Sequence, residues 1–374
     1  MIYTDIAKAF DSVCHSKLVQ VVQSYGINSS IVCWLSNFLS DRKQSVCVGS
    51  AVSSLLPVSS GVPQGSVIGP LLFLLYFDNV TTTATTLYGS IGMKLFADDA
   101  KLYATNSSVL QLSLDNFTSW LLNYQLNIAS HKCYSLHLSP PSLSHSPPSF
   151  YINKALIDQK SQFKDLGIYI SNNLKWANHI NYISKNASFC SYQIMKCFKT
   201  KNISVLIKLY KTYVRPKVEY NSSVWSPWLS KDINQIESIQ RNFTKFAFNR
   251  CNIPFVSYLD RLTQINLKTL EHRRLISDMV MLYKIVNNLT FIKFSDFFSF
   301  TNCKYNLRRN SLQINHNFNF KIKFQNSLWE NSFFNRVVKV WNCLPDEVVT
   351  AISLQVFKVQ IAKADLSSHL SIKS

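Results

Sequence analysis

Apolar residues recur at helical spacing in Ser16–Tyr25 and in Ser29–Leu39, which predicts two amphipathic helices, each opened by a serine able to cap. Alternation then replaces that period. Gln44–Val48 and Ala51–Val58 flank Gly49-Ser50 and read as a β-hairpin, and Lys94–Phe96 with Ala100–Tyr103 read as a tighter one. Leu110–Leu126 has the period of a long amphipathic helix, and Cys133–Leu138 that of a strand. The stretch Pro140–Ser149 (PPSLSHSPPS) reads as a loop, because its prolines can continue neither helix nor strand. Short strands follow at Phe150–Ile152 and Phe163–Ile170. From Trp176 onward helical periodicity dominates, as in Ile203–Val214 and Ile233–Phe248. The pattern is mixed at first and helical afterwards.

Composition narrows this further. At about 150 residues per domain, 374 residues allow two or three domains. A chain that is 47% hydrophobic and 16% charged is neither disordered nor a coiled coil. The net charge of +19 suggests a polyanionic partner. Residues 1–140 hold 7 basic and 7 acidic residues, so the whole excess lies in 141–374. All eight glycines lie at or before Gly167, which leaves later turns to Asn, Ser and Pro. Charges at Asp5, Lys8 and Asp11 interrupt any signal-peptide core, and the apolar run Val67–Phe77 is too short to cross a bilayer. Nine cysteines, none in a Cys-x-x-Cys pair, read as reduced core residues without zinc or disulfides. These observations predict a soluble intracellular protein, nuclear or cytoplasmic, with no targeting signal and no membrane partner.

Candidate chemistry begins with carboxylates. Tyr3, Asp5 and Ala7 share one face of a strand and Ile2, Thr4 and Ile6 the other, so the apolar face packs on helices while Asp5 looks out. Asp98-Asp99 falls at a hairpin tip between apolar flanks. Carboxylates about 4 Å apart repel by about 4 kcal/mol at an effective dielectric near 20, so a buried pair needs protons or cations, and Mg²⁺ suits hard oxygen ligands. A solvated Asp-Asp turn is the plain reading of the dipeptide alone. Gly61-Val-Pro-Gln-Gly-Ser-Val-Ile-Gly-Pro70 lets a backbone approach a ligand closely, and Pro70 can start a helix over Leu71–Phe77. By itself it equally fits a surface turn leading into a buried helix.

Together these residues resemble a known family. Asp5-Ile-Ala-Lys-Ala-Phe-Asp11 with His15, then GVPQGSVIGPLLF at 61–73, then FADD at 96–99, resemble in order and spacing motifs A, B and C of reverse transcriptases. The style is that of non-LTR (LINE-type, jockey-like) retrotransposons. Leu126–Leu138 with Lys132 resembles motif D, and Phe163-Lys-Asp-Leu-Gly167 with Trp176 and His179 resembles motif E and its sequel. Pro216-x-x-Glu-Tyr220 with Trp225, Glu271-x-Arg273-Arg274 and Trp341-Asn-x-Leu-Pro345 resemble the region behind the polymerase, where no catalytic role is implied.

The resemblance implies an RNA-directed DNA polymerase. A primer 3′-hydroxyl attacks the α-phosphate of a dNTP, and two Mg²⁺ ions (Mn²⁺ being the alternative) stabilise the attacking and leaving oxygens. It assigns metal ligation to Asp5, Asp98, Asp99 and the main-chain carbonyl of Ile6. Phe10 matches the ring that blocks a ribose 2′-hydroxyl, though simple packing also explains it. Gln64 matches a contact to the nascent base pair and Gly65 one to the template. Lys132 matches a proton donor to pyrophosphate, with a solvated surface lysine as its other reading. Leu166 and Gly167 match a primer contact. Asp11 and His15 read as structural hydrogen-bonding residues. The nine basic residues between Leu166 and Val218, with no acid among them and Tyr182, Tyr192, Tyr210 and Tyr213 interleaved, favour phosphate contact. Lys196, Lys199 and Lys201 are the representatives chosen for the nucleic-acid grip.

The expected architecture is α+β. A polymerase palm over 1–171, an antiparallel sheet backed by helices, precedes a helical, basic, thumb-like region over 172–300 and a C-terminal region over 301–374. Met1 lies four residues before Asp5, so the fingers that hold the dNTP triphosphate are expected to be missing, and the chain to be truncated and to bind duplex more readily than it extends a primer. The expected partners are an RNA template, a DNA primer and dNTP. A rival reading is a catalytically silent nucleic-acid-binding remnant. A metal-dependent nuclease is a third, and the GVPQG loop and Phe10 argue against it because hydrolysis needs neither template contact nor sugar gate.

Overall fold

A computed structural model describes residues 1–81, 91–138, 146–300, 320–322 and 331–372. Residues 140–145 of the expected Pro/Ser loop lie outside the described residues. The chain forms two compact units, Met1–Lys175 and Trp176–Ser374.

The first unit is built on a five-stranded sheet in the order Asp158–Gln159, Tyr134–Ser135, Ile2–Thr4, Asp99–Tyr103, Gly92–Phe96. Ile2–Thr4 sits in the middle, buried at every residue and antiparallel to both neighbours. The sheet expected as antiparallel is mixed. Its edge strand Asp158–Gln159 runs parallel to Tyr134–Ser135. Parallel neighbours need a crossover of a dozen residues or more, and the chain between them is long enough, including a small hairpin at Tyr151–Leu156. Helices His15–Ser24, Ser29–Leu39, Gly69–Phe77 and Ser107–Asn123 bury their apolar faces in one core with the sheet. Leu18, Leu35, Phe73, Phe117, Ile2 and Leu102 meet there.

Both expected hairpins form, the first with Cys47 opposite Val52, the second with Phe96 opposite Asp99. Helix ends differ from expectation. Neither predicted serine caps: the first helix starts at His15 without a side-chain cap, and Asn28 caps the second by accepting from the Ser30 amide at 2.9 Å. The long helix starts earlier, capped by Asn106, and stops at Asn123 because Gln125 turns left-handed (φ 57) while the Leu126 amide donates back to the Leu121 carbonyl at 2.8 Å. The strand predicted over Phe163–Ile170 is a hairpin. Gln162–Asp165 pairs with Ile168–Ser171 around Leu166-Gly167, and positive φ at both residues (43 and 89) makes a type I′ turn.

In the second unit the long helices are Ala177–Cys197, Ser230–Arg250 and Leu270–Val286. The helix predicted over Ile203–Val214 widens to a π-helical turn at Tyr210–Val214, just before Pro216, which has no amide hydrogen to keep the α ladder. Met279, Leu282, Trp341, Leu344 and Phe357 form part of a separate core. Among the described residues no helix is long and apolar enough to cross a membrane, and the described cysteines are free thiols.

Candidate active site

Strand register brings the acids together. Tyr3 pairs with Lys101 and Thr4 with Ala100, so the residue after Thr4 and the residue before Ala100, Asp5 and Asp99, come to line one cavity. The Thr4 hydroxyl donates to the Ala100 carbonyl at 3.1 Å and ties the two strands beside them. Asp98 occupies the two-residue turn between Phe96 and Asp99, beside Ala97 in a left-handed conformation (φ 51). Ala has no side chain to favour that region, so the turn is strained in the way that recurs at functional sites.

The electrostatics follow from the crowding. Partial desolvation, then Asp98, and more weakly Asp165 and Asp5, push the Asp99 carboxyl above its ordinary range against the pull of Lys101. Asp5 is less relieved than it looks. Lys132 Nζ lies 3.1 Å from its Oδ2, yet that buried oxygen has no partner in hydrogen-bonding geometry. Lys132 arrives there because Ile6 pairs with Ile128, and the Ala129 amide donates to the Asp5 carbonyl at 2.8 Å just before the Ser130–Lys132 turn. Among the described residues no three or more acid, His or Cys side chains are gathered so as to hold a metal ion. Asp98 and Asp99 are repelling neighbours, and their oxygens are of the hard kind that suits a divalent cation.

The glycine-rich loop is anchored on the turn that follows Asp5. The Val62 amide donates to the Phe10 carbonyl at 2.9 Å and the Gly61 amide to the Val13 carbonyl at 2.8 Å. Gly61 is at φ +90, and a Cβ there would lie 2.8 Å from Asp11 Cα, so only glycine fits. Gln64 Nε2 donates to Asp11 Oδ1 at 2.7 Å, the Ser60 hydroxyl donates to the Asp11 carbonyl, and His15 Nε2 bonds the Gly61 carbonyl at 2.8 Å. Asp11 and His15 thus join the two segments. Phe10 is half-buried and stacks on Phe73 at 4.3 Å. Gln64 and Gly65 are exposed.

Two contacts that the sequence does not reveal belong here, both made by residues of the motif that resembles motif E. Asp165 pairs with Lys101 at 2.5 Å, both largely buried, and Phe163 packs on Tyr3 with ring centroids 3.8 Å apart. These contacts dock the Leu166-Gly167 turn on the sheet that carries Asp99. A cavity of about 260 Å³ lies among them, lined by Asp5, Asp99, Lys101, Lys132, Asp165 and Leu166. The only sequence signal for Asp165 was its place two residues before Gly167.

Lys196, Lys199 and Lys201 are exposed in the second unit, with Lys196 5.9 Å from the Tyr192 ring. Two residues counted toward a phosphate-contacting surface are internal instead. Tyr210 is fully buried and donates to Gln240 at 3.0 Å, and Arg215 pairs with Glu219 at 3.6 Å.

Residues 1–170 match the family described as Reverse transcriptase (RNA-dependent DNA polymerase). The RNA-directed DNA polymerase from mobile element jockey of Drosophila melanogaster is 26% identical over 250 residues, 64% of this chain and 27% of the relative. A probable RNA-directed DNA polymerase from transposon X-element of the same species is 26% identical over 257 residues, 65% of this chain and 28% of the relative. A Pol polyprotein from the type-1 retrotransposable element R2 of Popillia japonica is 26% identical over 181 residues, 45% of this chain and 30% of the relative. Among solved structures, apo telomerase from Candida tropicalis aligns over 76% of this chain and 45% of its own, at 12% identity and a TM-score of 0.41, too loosely to carry any argument.

The chain carries, in residues 1–170, a match to the reverse transcriptase family, and the crowded acids on paired strands and the glycine-rich loop fall within it. Its relatives are, more particularly, the RNA-directed DNA polymerases of non-LTR retrotransposons, and the chain spans 27–30% of the length of the three relatives just described.

Proposed function

We propose that the chain carries out RNA-templated DNA synthesis from dNTP at the Asp5–Asp98–Asp99 cluster. Residues 1–171 serve as the polymerase palm, 172–300 as a thumb-like nucleic-acid grip, and 301–374 as the element's C-terminal region. The observation that carries this is the gathering of Asp5, Asp99, Lys101, Lys132 and Asp165 around one cavity, with the Asp99 carboxyl raised by desolvation and then by Asp98. Asp5, Asp98, Asp99 and the Ile6 carbonyl would hold two Mg²⁺ ions. Such ions would supply Lewis-acid stabilisation of the charge that develops on the α-phosphate and the leaving oxygen.

The chain's own groups do the rest. Asp11 holds Gln64 beside the turn that carries Phe10, so the base-pair contact and the sugar gate are positioned as one piece. Stacking on Phe73 fixes the Phe10 ring, which lets a rigid edge discriminate against a 2′-hydroxyl. Gly65 is exposed, which suits a backbone contact to the template. Lys132 reaches Asp5 from an exposed position, a reach compatible with giving a proton to departing pyrophosphate. Leu166 and Gly167, docked through Phe163 and Asp165, offer a stiff primer contact. Lys196, Lys199 and Lys201 would meet backbone phosphates.

The test is dNTP incorporation into a DNA primer on an RNA template with Mg²⁺, with Asp98→Ala as control and primer–template binding measured in parallel. Incorporation lost in Asp98→Ala supports the polymerase. Binding without incorporation, in Mg²⁺ or Mn²⁺, favours the second reading of a catalytically silent nucleic-acid-binding remnant, to which the exposed lysines point.

A further inference from the structure

Arg273 and Arg274 are neighbours with opposite surroundings. Arg273 forks onto Glu219, with Nη2 3.0 Å from Oε2. Arg274 is 2% exposed, and none of its three guanidinium nitrogens has a hydrogen-bond partner. An unpaired buried cation is among the most destabilising features a fold can carry. The nearby acids Glu237, Glu271, Asp278 and Glu219 favour its charge, but none hydrogen-bonds to it. Asp278 is held bidentate by Arg336 at 2.8 and 3.2 Å. Glu237 accepts from the Tyr258 hydroxyl and the amides of Leu270 and Glu271. The Glu271 carboxylate accepts the amides of Ser371 and Ile372, each at 2.9 Å.

Arg274 lines a cavity of about 790 Å³ together with Glu271, Asp278, Arg336, Lys339 and His369. Its acids are already engaged, whereas Arg274 has its donors unspent and Lys339 is exposed. We propose that this cavity binds a phosphate group, with Arg274 as the buried donor and Lys339 as the exposed one. Phosphate fits better than a carboxylate for two reasons. A guanidinium offers several donors in a planar fork that a phosphate's oxygens match bidentately, with further oxygens left for Lys339. Residues 141–374, which contain the cavity, also hold the whole positive excess, which concentrates polyanions. The phosphate has two possible sources, a free phosphate compound or a nucleic-acid backbone. Only the second rests on the function proposed above.

Titrating the full chain with inorganic phosphate, at ionic strength held constant with chloride, tests the site by calorimetry and thermal melting. Phosphate should raise the melting temperature above the chloride control. Arg274→Gln should weaken binding by about tenfold or more, the loss of a charge-assisted contact. Lys339→Ala, at an exposed position, should weaken it a few-fold and leave melting without phosphate unchanged, so the test survives misfolding of the Arg274 variant. Asp98→Ala should bind phosphate like the parent, whatever it does to polymerisation. Competition by a single-stranded RNA oligomer identifies the source as a backbone phosphate, and phosphate binding without competition identifies a free compound. Phosphate that stabilises no more than chloride, or equal binding by the parent and Lys339→Ala, overturns the site.

Discussion

In Met1–Lys175 acids crowd around Asp99, whereas in Trp176–Ser374 they are spread and matched one by one. Desolvation, then Asp98, and more weakly Asp165 and Asp5 raise Asp99, while Lys101 pairs with Asp165 and Lys132 with Asp5. Backbone geometry holds this arrangement: strand register, Gly61 against Asp11, and left-handed turns at Ala97 and Leu166. In the second unit, side chains pair within a helical frame. Glu237, fully buried, sits at the N-terminus of the Leu270–Val286 helix and takes its amides, while Glu219 and Asp278 each take an arginine. The difference teaches where to look for chemistry. Matched charge stabilises a fold, whereas charge held unmatched by a rigid backbone is available to a ligand.

Removing one acid from each unit tests this most strongly. Asp98→Ala should lower Mg²⁺-dependent incorporation at least about a thousandfold, the several kcal/mol that metal stabilisation of the transition state supplies, with little change in a urea unfolding midpoint. Asp278→Ala should do the reverse. It strands a largely buried Arg336 and should cost roughly 2–4 kcal/mol in the same unfolding experiment. If the two variants lose stability equally, the contrast fails. Gly61→Ala probes the backbone half of the comparison. Its Cβ would meet Asp11 backbone at 2.8 Å in a conformation that already disfavours side chains, so a loss of about 2–3 kcal/mol is expected. Gly65→Ala, also at positive φ but with nothing within 4 Å, should cost roughly 1 kcal/mol, and equal losses would show that the contact with Asp11 does not matter.

What the sequence revealed follows the same division. The strand position of Asp5 and the hairpin-tip position of Asp98 and Asp99 were legible because alternation and apolar flanks are local patterns, while their reading as one site came from the resemblance. Of the described helices of the first unit, three were legible from periodicity and Gly69–Phe77 from the proline that opens it, while the ends were not, since Asn28 and Asn106 cap by geometry that apolar spacing does not encode. Asp165 was hidden because its partner Lys101 lies on another strand and the pairing depends on how a hairpin docks. That hairpin was itself read as one strand, because leucine is not a residue one expects in a left-handed turn. Tyr210 looked like part of a basic, aromatic surface, yet Gln240, thirty residues away, draws it inside. Long-range pairing of polar groups leaves no period to read.

The exposed lysines of the second unit are its cations without acids nearby in sequence. If primer–template binds there, the log–log salt dependence should be steep, and neutralising Lys196, Lys199 and Lys201 together should flatten the slope by roughly 2–3 units, at about 0.9 per phosphate contact on B-form DNA. Filter binding across a salt series measures it. An unchanged slope would mean that these lysines only face solvent.

The smallest expected effect is the most direct reading of the crowding. Asp99 is raised from the ordinary 3.8, so the folded chain holds its proton more tightly than the unfolded chain. The stability lost to that mismatch therefore grows as pH rises from about 3.8 through the raised value, and is fully present at pH 7. Asp99→Asn removes the repelling charge and keeps the shape. In EDTA at pH 7 it should melt slightly higher than the parent, by less than about 1 kcal/mol because Asp99 is exposed and solvent screens it. At pH 4 the gain should shrink, since a carboxyl held above its ordinary 3.8 carries less of its charge there than at pH 7. Millimolar Mg²⁺ should shrink it too, because a cation relieves the parent and finds one ligand fewer in the variant. A variant less stable than the parent in EDTA would mean that Asp99 makes a favourable contact that outweighs its repulsion, and the acids would then be a matched set like those of the second unit.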